Sequence, residues 1–587
     1  MIHRLSSDLP TFRTVEFHHG LNVVIAERTT ESTVKDSRNG VGKSTFIEII
    51  HFCLGGGVSS GKSKILFQEV LAKWTFSLEL DLRDSRYTIS RKGENSNRII
   101  VDGDFSELPS DWQPKIDKET GEQIYSLQEW TSVLGWMMFD LPFSKTKEIY
   151  LPTFRSLISY FVRKGKDAFS KPFEHYRKQM EWDIQVNNSY LLGMGWNFAR
   201  EFQLNKDQDK DVRQLEKSAK TGVLASFAGD LGELEADKVN LEDKVKVEEN
   251  QLKSFNVHPQ YREINEKANK LTKQLHDIEN QNVSDQRMIN YYENSFKNEV
   301  SADDEKILKI YREAGVFLPD AVSKKLEDVK NFHQQVVNNR RDFLQSEIVK
   351  LKQRITERSQ NSNAFSAERA ELMGVLKTHG ALEEFTKLQN LHTKTVTELQ
   401  AIKQKIEQLK LITKRKASLK IEKTQLQQQM RLDYDQRSES ISHAISLFNS
   451  NTEALYERAG RLIINVEPKG YDFDTQIDRK GSGGVENMGV FCYDLTLAQI
   501  WAEKEISPVF LIHDSIIFEG VDERQKALAI ELAEKKANEN NLQYICCINS
   551  DAIPKNDFSK DFNLYGFRCL ELSDGSDEGT LLGFRFS

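Results

Sequence analysis

Proline is scarce in this chain, with 11 in 587 residues, and it is unevenly placed. None lies between Gln260 and Leu318, and none between Asp320 and Glu467. Disordered chains usually carry more proline, so the proline-free middle points to helix rather than disorder. Cysteine is scarce too. The five are Cys53, Cys492, Cys546, Cys547 and Cys569, and none forms a CxxC pair. That pattern argues against structural zinc and a disulfide framework, so a reducing cytoplasm is the expected setting. No apolar run approaches the ~18 residues of a transmembrane helix, so no membrane partner is expected. The opening stretch MIHRLSSDLPTFR has no apolar core, so no secretory signal is expected either. Positive charge is not in excess. The formal net charge is −8, which excludes a uniformly basic nucleic-acid coat but not one basic face.

What is present is polar and strongly charged. Charged residues make up 29% and hydrophobic residues 38%. At roughly 100–200 residues per domain, the length allows about three to five domains. The apolar share is low for one compact enzyme, so part of the chain is expected to be solvent-washed helix. That part is the middle. Between Asp230 and Ser450 the glycines are only Gly232, Gly315, Gly374 and Gly380, and all seven tryptophans lie outside it.

The middle repeats every 3.5 residues. Leu231, Leu234, Lys238, Leu241, Val245, Glu248, Leu252 and Phe255 alternate steps of three and four, with Lys238 and Glu248 as breaks. Leu344, Ile348, Leu351 and Ile355 continue the pattern, as do Leu399, Ile402, Ile406 and Leu409. This is coiled-coil spacing. Helix breaks fall at 256–259, 313–319 and 378–380. The simplest geometry is an antiparallel hairpin, with Pro259 and Gly380 opposite each other as an elbow. A compact helical domain is the alternative. At a rise of about 1.5 Å per residue, each arm spans on the order of 100 Å. The expected organisation is an N-terminal lobe at 1–205, an outgoing arm at 206–300 and a tip at 301–321. A returning arm then covers 322–450 and a C-terminal lobe 451–587. The lobes read as mixed α/β, with strands at Leu21–Ala26, Leu462–Val466, Val509–Ile512 and Gln543–Ile548 and a meander at 74–101.

Three motifs carry chemistry. The first is Ser37-Arg38-Asn39-Gly40-Val41-Gly42-Lys43-Ser44-Thr45, between the strand ending at Ala26 and the helix from Phe46. This is a P-loop in its strand–loop–helix context. Glycines let backbone N–H groups converge on phosphate oxygens, and the helix presents its positive end. Residues 38–45 are the candidate ATP-binding set. Lys43 would neutralise β/γ-phosphate charge, and Ser44 would ligate Mg²⁺. Two features depart from the usual motif: Ser37 stands at the first glycine, and the connection 27–36 is long.

The second is Gly481-Ser482-Gly483-Gly484, which precedes an apolar helix and then the strand leading to Asp514. A short Gly-Ser-Gly-Gly is often a hinge or turn, but in that order it resembles an ABC-type signature, which implies binding to the γ-phosphate of ATP held by another subunit. Asp514, after an apolar strand, is the candidate Mg²⁺-orienting carboxylate; an ordinary capping Asp is the plainer reading. The third is the stretch beyond Asp514. Ser515 stands where a water-polarising glutamate is expected. Glu519 is the nearest candidate catalytic carboxylate, and Asp522 is the candidate D-loop residue. Asn549 and Ser550 stand where a switch histidine is expected. His513 is a candidate substitute. A Q-loop is sought at Gln128 or at 160–165, where Arg163 and Lys164 replace glutamine. Surface placement of those two cations is an equal alternative.

In this order the motifs resemble the SMC-like branch of ABC ATPases, relatives of RecN, RecF and the double-strand-break-repair ATPase. Gly481–Met488, His513-Asp514-Ser515 and Asn549-Ser550-Asp551 are most similar to bacterial ABC-three-component and Lamassu-type defence ATPases. The resemblance implies an α/β ABC-type P-loop head split by a long antiparallel coiled coil. It implies a head-to-head homodimer around two ATPs and arms that engage DNA. It also implies a small adaptor subunit and a nuclease-like effector. This chain lacks the CxxC zinc hook of many relatives. Basic clusters at Arg340-Arg341 and 414–416 are candidate phosphate contacts, with a solvated coil face as the alternative. A weakly hydrolysing ATP-binding scaffold and a DNA-repair ATPase remain alternatives. A dynamin-like GTPase is disfavoured because no NKxD motif is present.

Overall fold

The structure is a computed structural model. It describes residues 1–28, 40–58, 65–143, 148–221, 230–255, 259–313, 320–376, 382–477 and 483–585. It is mixed α/β with long helices, as the sequence predicts. Two compact units are built from interleaved segments. One takes in Met1–Leu204 and Thr424–Ser587, and the other Asn205–Glu313 and Val329–Lys423.

The first unit holds two large sheets. Strands β1 (Ile2–Ser7), β2 (Val15–Glu16), β4 (Thr75–Leu82), β5 (Ser85–Lys92), β6 (Arg98–Asp102), β7 (Lys115–Ile116) and β8 (Gln123–Ser126) form an antiparallel sheet. Its order is β2-β1-β4-β5-β6-β8-β7. β4 alternates half-buried and buried residues, the period-2 pattern of a strand with one face on the core. The second sheet is parallel. It consists of β3 (Gly20–Glu27), β9 (Val162–Arg163), β12 (Phe510–His513), β13 (Gln543–Asn549) and β14 (Arg568–Ser573). The order is β14-β3-β13-β12-β9, so strands from both ends of the chain share one sheet. β3 and β13 are buried almost throughout, because a parallel sheet is covered on both faces. A hairpin of β10 (Arg461–Glu467) and β11 (Gly470–Gln476) completes the strands.

Helices of this unit are α1 (Lys43–Cys53), α2 (Leu127–Phe139), α3 (Phe154–Ile158) and α4 (Glu181–Leu191). Then come five long helices: α5 (Trp196–Thr221), α6 (Leu231–Ser254), α7 (Pro259–Glu313), α8 (Asp320–Leu376) and α9 (Leu382–Gln436). The chain finishes with α10 (Ser438–Leu455), α11 (Gly483–Ala502) and α12 (Glu523–Glu539). The unit boundary falls inside α9, and α10 contacts α11, α12 and β10. Heptad spacing assigns residues up to 450 to the returning arm. The break between Gln436 and Ser438 instead hands the last stretch to the α/β unit, where Ile441, Ala444, Phe448 and Leu455 are buried. The expected tip at 301–321 includes residues 314–319, which lie outside the described residues.

The helical unit is doubled back. Glu235 pairs with Lys410, and Glu242 with Lys403 at 2.8 Å, so α6 and α9 are antiparallel. Thr272 bonds Arg369 at 2.8 Å and Asp285 bonds Arg358 at 2.7 Å, so α7 and α8 are antiparallel too. Asn269 pairs with Gln389 at 2.7 Å and Asn280 with Thr397 at 3.2 Å. Those numbers rise together, so α7 runs parallel to α9 and therefore back along α6. Phe255 and Phe385, with ring centroids 5.8 Å apart, bring the two helix breaks side by side. The long helices are thus folded back beside the expected elbow. Heptad pattern places the apolar seam but not the partner of each helix.

The seams are narrow. Leu234, Ile402 and Ile406 form one buried cluster, and Ile289, Ile348 and Leu351 another. Glu248 breaks the first seam as the spacing predicts. It is buried and accepts from Thr395 at 3.0 Å, with His392 3.6 Å away. Few residues carry each seam, so Ile402→Ala is expected to cost about 2–5 kcal/mol. Circular dichroism should show the helical transition at a lower temperature.

Candidate functional site

The carboxyl ends of parallel strands are where α/β sheets bind ligands. Here β3 ends at Glu27 and the loop leads to α1. Ser37, Arg38 and Asn39 lie outside the described residues. Gly40 is exposed, and a Cβ built there would meet nothing within 4 Å. Gly42 caps α1 with φ +108°, a conformation that favours glycine. A Cβ there would also stand 2.6 Å from the Cβ of Leu581, and Leu581 donates its N–H to the Val41 carbonyl at 3.0 Å. The far C-terminal segment thus seats the loop. Val41 and Thr45 are buried, so their side chains are not presented to solvent. Lys43 is 8% exposed at the first turn. The first intrahelical bond is from the Phe46 N–H to the Gly42 carbonyl, which leaves the preceding N–H groups without acceptors inside the helix.

Asp514 follows β12, 2% exposed. The Ser44 hydroxyl donates to Asp514 Oδ2 at 3.3 Å, across 470 residues of sequence. The Ser515 hydroxyl donates to Asp514 Oδ1 at 3.1 Å. A hydroxyl and a carboxylate converging beside a helix N-terminus form a hard-oxygen donor set. It suits a magnesium ion that keeps water and phosphate ligands. Asn549, at the end of β13 and in register with Ala26 of β3, has a buried Oδ1 with no hydrogen-bond partner among the described residues. That acceptor fits a further polar ligand at this sheet edge. Ser550 accepts from the Arg28 N–H at 3.3 Å.

The signature candidates lie on α11. Gly481 and Ser482 lie outside the described residues. Gly483 is open, while a Cβ on Gly484 would stand 2.2 Å from the Gly520 carbonyl oxygen. Asn487 Nδ2 donates to the carbonyls of Ile516 and Glu519, both at 3.0 Å. The helix start is therefore fastened to the turn after Asp514. Glu519 is exposed at the end of that turn, and its carbonyl, not its carboxylate, makes the contact. Asp522 caps α12, accepting from the Arg524 N–H at 3.1 Å, and its side chain is half exposed. The Arg524 side chain holds the Asp522 carboxyl below its usual range.

Arg163 and Lys164 are not surface cations. Arg163 is fully buried and Lys164 is 6% exposed. Gln128, the other Q-loop candidate, is exposed on α2. Arg163 grips Asp494 of α11 with two bonds, at 2.5 and 2.7 Å. Lys164 pairs with Glu48 of α1 at 2.8 Å. His513 is fully buried. Its Nε2 donates to Asp494 at 3.0 Å, and its Nδ1 accepts from the Tyr544 hydroxyl at 3.1 Å. It holds the sheet to α11 rather than replacing a catalytic group. Sequence reading missed Asp494, Tyr544 and Leu581. A signal existed for one pair: Asp494 interrupts the apolar run 490–497, and Arg163 ends another at 160–162.

Burial pushes His513 below its ordinary value, and burial aided by Lys164 and Arg155 pushes His51 well below. His51 donates from Nε2 to the Val162 carbonyl at 2.8 Å and accepts at Nδ1 from Arg155 at 3.1 Å. Both rings are therefore neutral when folded. Below about pH 6.5 the unfolded chain takes up protons that the folded chain refuses, so stability falls as pH drops. Thermal unfolding is expected to occur at lower temperature at pH 5.5 than at pH 7.5. The loss should be smaller in His51→Gln, compared over the same pH range.

Comparison with known proteins bears on these features. Residues 288–412 match the family model described as C-terminal domain 10 of the ABC-three component (ABC-3C) systems. Residues 451–586 match an uncharacterised protein family conserved in bacteria, DUF2326. The uncharacterized protein YydD of Bacillus subtilis (strain 168) is 20% identical, with 97% of this chain and 96% of that protein covered. Among solved structures, the Smc head domain with a coiled coil and joint from Pyrococcus yayanosii aligns over 94% of this chain and 93% of its own. The identity is 13% and the TM-score 0.36. The Smc head domain with an extended coiled coil bound to the C-terminal domain of ScpA, from Pyrococcus furiosus, aligns over 94% and 91%. There the identity is 12% and the TM-score 0.31. The ABC-three-component match falls on the long helices and agrees with the SMC-like ABC resemblance of the motifs. Among the described residues, no helix is long and apolar enough to cross a membrane.

Proposed function

We propose that this chain is an SMC-like, ATP-driven subunit of a bacterial multi-component defence assembly. Two copies close head to head around ATP, and the helical unit engages DNA. The observation that carries the reading is the meeting of Ser44 and Asp514 at the carboxyl edge of the parallel sheet. Lys43 and the N–H groups of the P-loop hold the phosphates. Ser44 and Asp514 would hold Mg²⁺, which would supply positive charge against the phosphates. Gly483, Gly484 and the start of α11 face the partner copy's phosphate. The ABC-three-component match supports an assembly with further subunits, in which a small adaptor and a nuclease-like effector are the expected companions.

One observation favours a second reading, a scaffold that binds ATP and turns it over slowly. Ser515 occupies the position of the water-polarising glutamate, and Glu519 is exposed at the end of the turn. Phosphate release with and without DNA separates the two. Release that DNA accelerates and magnesium removal abolishes supports the ATPase. Nucleotide binding and ATP-driven pairing without release supports the scaffold. Ser515→Glu is then expected to raise turnover by about tenfold or more, the usual contribution of a positioned base being 10²–10⁴.

A further inference from the structure

Adjacent residues of a strand point to opposite faces of a sheet. At the β9–β12 edge this rule acts on two strands at once. The strands are parallel, and Arg163 is in register with His513. Both side chains reach the same carboxylate, Asp494 Oδ2, in the middle of α11. The residue immediately after each strand serves the other helix. Lys164 pairs with Glu48 of α1, and Asp514 takes the hydroxyl of Ser44, the second residue of α1. One edge of the sheet therefore holds the signature helix with one pair of residues and the P-loop helix with the next pair.

The Arg163 grip is complete. Besides Asp494, its guanidinium donates to the carbonyls of Ala168, Pro172 and Glu174. A planar fork fixed on a carboxylate and three carbonyls transmits displacement, because breaking any contact leaves a buried charge or carbonyl unmatched. At the other end α11 is fastened through Asn487 to the turn following Asp514. The helix is thus tied to the Asp514 strand and turn at two points.

We infer that Arg163, Asp494 and Lys164 are positioning residues that couple the phosphate site on α1 to the signature end of α11. The inference rests on the proposed nucleotide site. On this account, nucleotide seated at Lys43 and Ser44 shifts α1 and Asp514. The shift passes through Lys164 and His513 to the Arg163–Asp494 pair and so resets Gly483 and Gly484. Arg163 and Lys164 occupy the place where a Q-loop glutamine is expected, and they join the two helices by ion pairs.

The test is hydrogen exchange of dilute, monomeric full-length chain with and without Mg-ATP. In the wild type, residues 40–53 and residues 483–490 should both slow on adding Mg-ATP. In Asp494→Asn, which preserves shape and removes the charge, 40–53 should still slow. The response at 483–490 should fall by about fivefold or more, the low end of typical site-to-site coupling. Lys164→Met breaks the less buried pair and provides a second variant, with the same expected split, should Asp494→Asn melt early. A response at 483–490 equal to wild type in a folded variant overturns the coupling. Absence of slowing at 40–53 in the wild type overturns the nucleotide site itself, and the coupling with it. A purely structural role for the pair would lower the melting temperature without separating the two responses, which also counts against the inference.

Discussion

Lys43→Ala is expected to reduce phosphate release to background. Lys43 stands at the first position of α1, 8% exposed, beside the hydroxyl and carboxylate proposed to hold Mg²⁺. Its ammonium is proposed to bring positive charge to the phosphates. A hydrogen bond to a charged group contributes about 1.5–3 kcal/mol net, so affinity should fall by roughly 10- to 100-fold. Turnover should fall further, because charge develops on the transferred group in the transition state and binding there is lost too. Nucleotide titration and phosphate release measure the two losses separately. Lys43→Arg should recover part of the affinity and little of the rate, since a planar fork cannot take the place of a point charge. Unchanged release in Lys43→Ala would remove the P-loop from the mechanism.

Gly484→Ala is expected to abolish ATP-driven pairing of heads while leaving nucleotide binding by the monomer within about threefold of wild type. The reason is steric. The new Cβ would stand 2.2 Å from the Gly520 carbonyl oxygen and 3.0 Å from Val521 Cα. These are backbone atoms, so no side chain can swing aside. Either α11 or the turn after Asp514 must shift, and at least one end of the Asn487 contacts is disturbed. Sedimentation with and without Mg-ATP reads the pairing. Ser482→Arg should block pairing by another route, filling the place of the partner's phosphate. Agreement between a variant that moves the helix and one that obstructs it would assign the segment 481–484. Normal pairing in both would end that assignment.

Much of the site was legible because its chemistry is local. A phosphate loop needs glycines, a lysine and a hydroxyl within a few residues, between a strand and a helix. All of those are contiguous at 37–45. Asp514 was legible because a carboxylate ending an apolar strand stands out. The seam at Leu234, Ile402 and Ile406 was legible because period alone places apolar residues on one helix face. The elbow was partly legible, since helix breaks show where a chain can turn but not how far. The doubled-back packing depends on polar pairs such as Asn269 with Gln389, which no periodicity marks.

What the sequence by itself determined is the α/β fold and the helical insertion, and it supplied the roster of candidate phosphate-site residues, because each follows from local spacing and composition. Only the tertiary structure decided that α7 runs parallel to α9 and back along α6. It alone decided that the C-terminal Leu581 braces Gly42, and that Arg163 and Lys164 are buried. Those outcomes rest on residues more than a hundred positions apart meeting in space, the last of them at the parallel sheet. There strand register puts Arg163 beside His513, and burial obliges each charge to find its opposite.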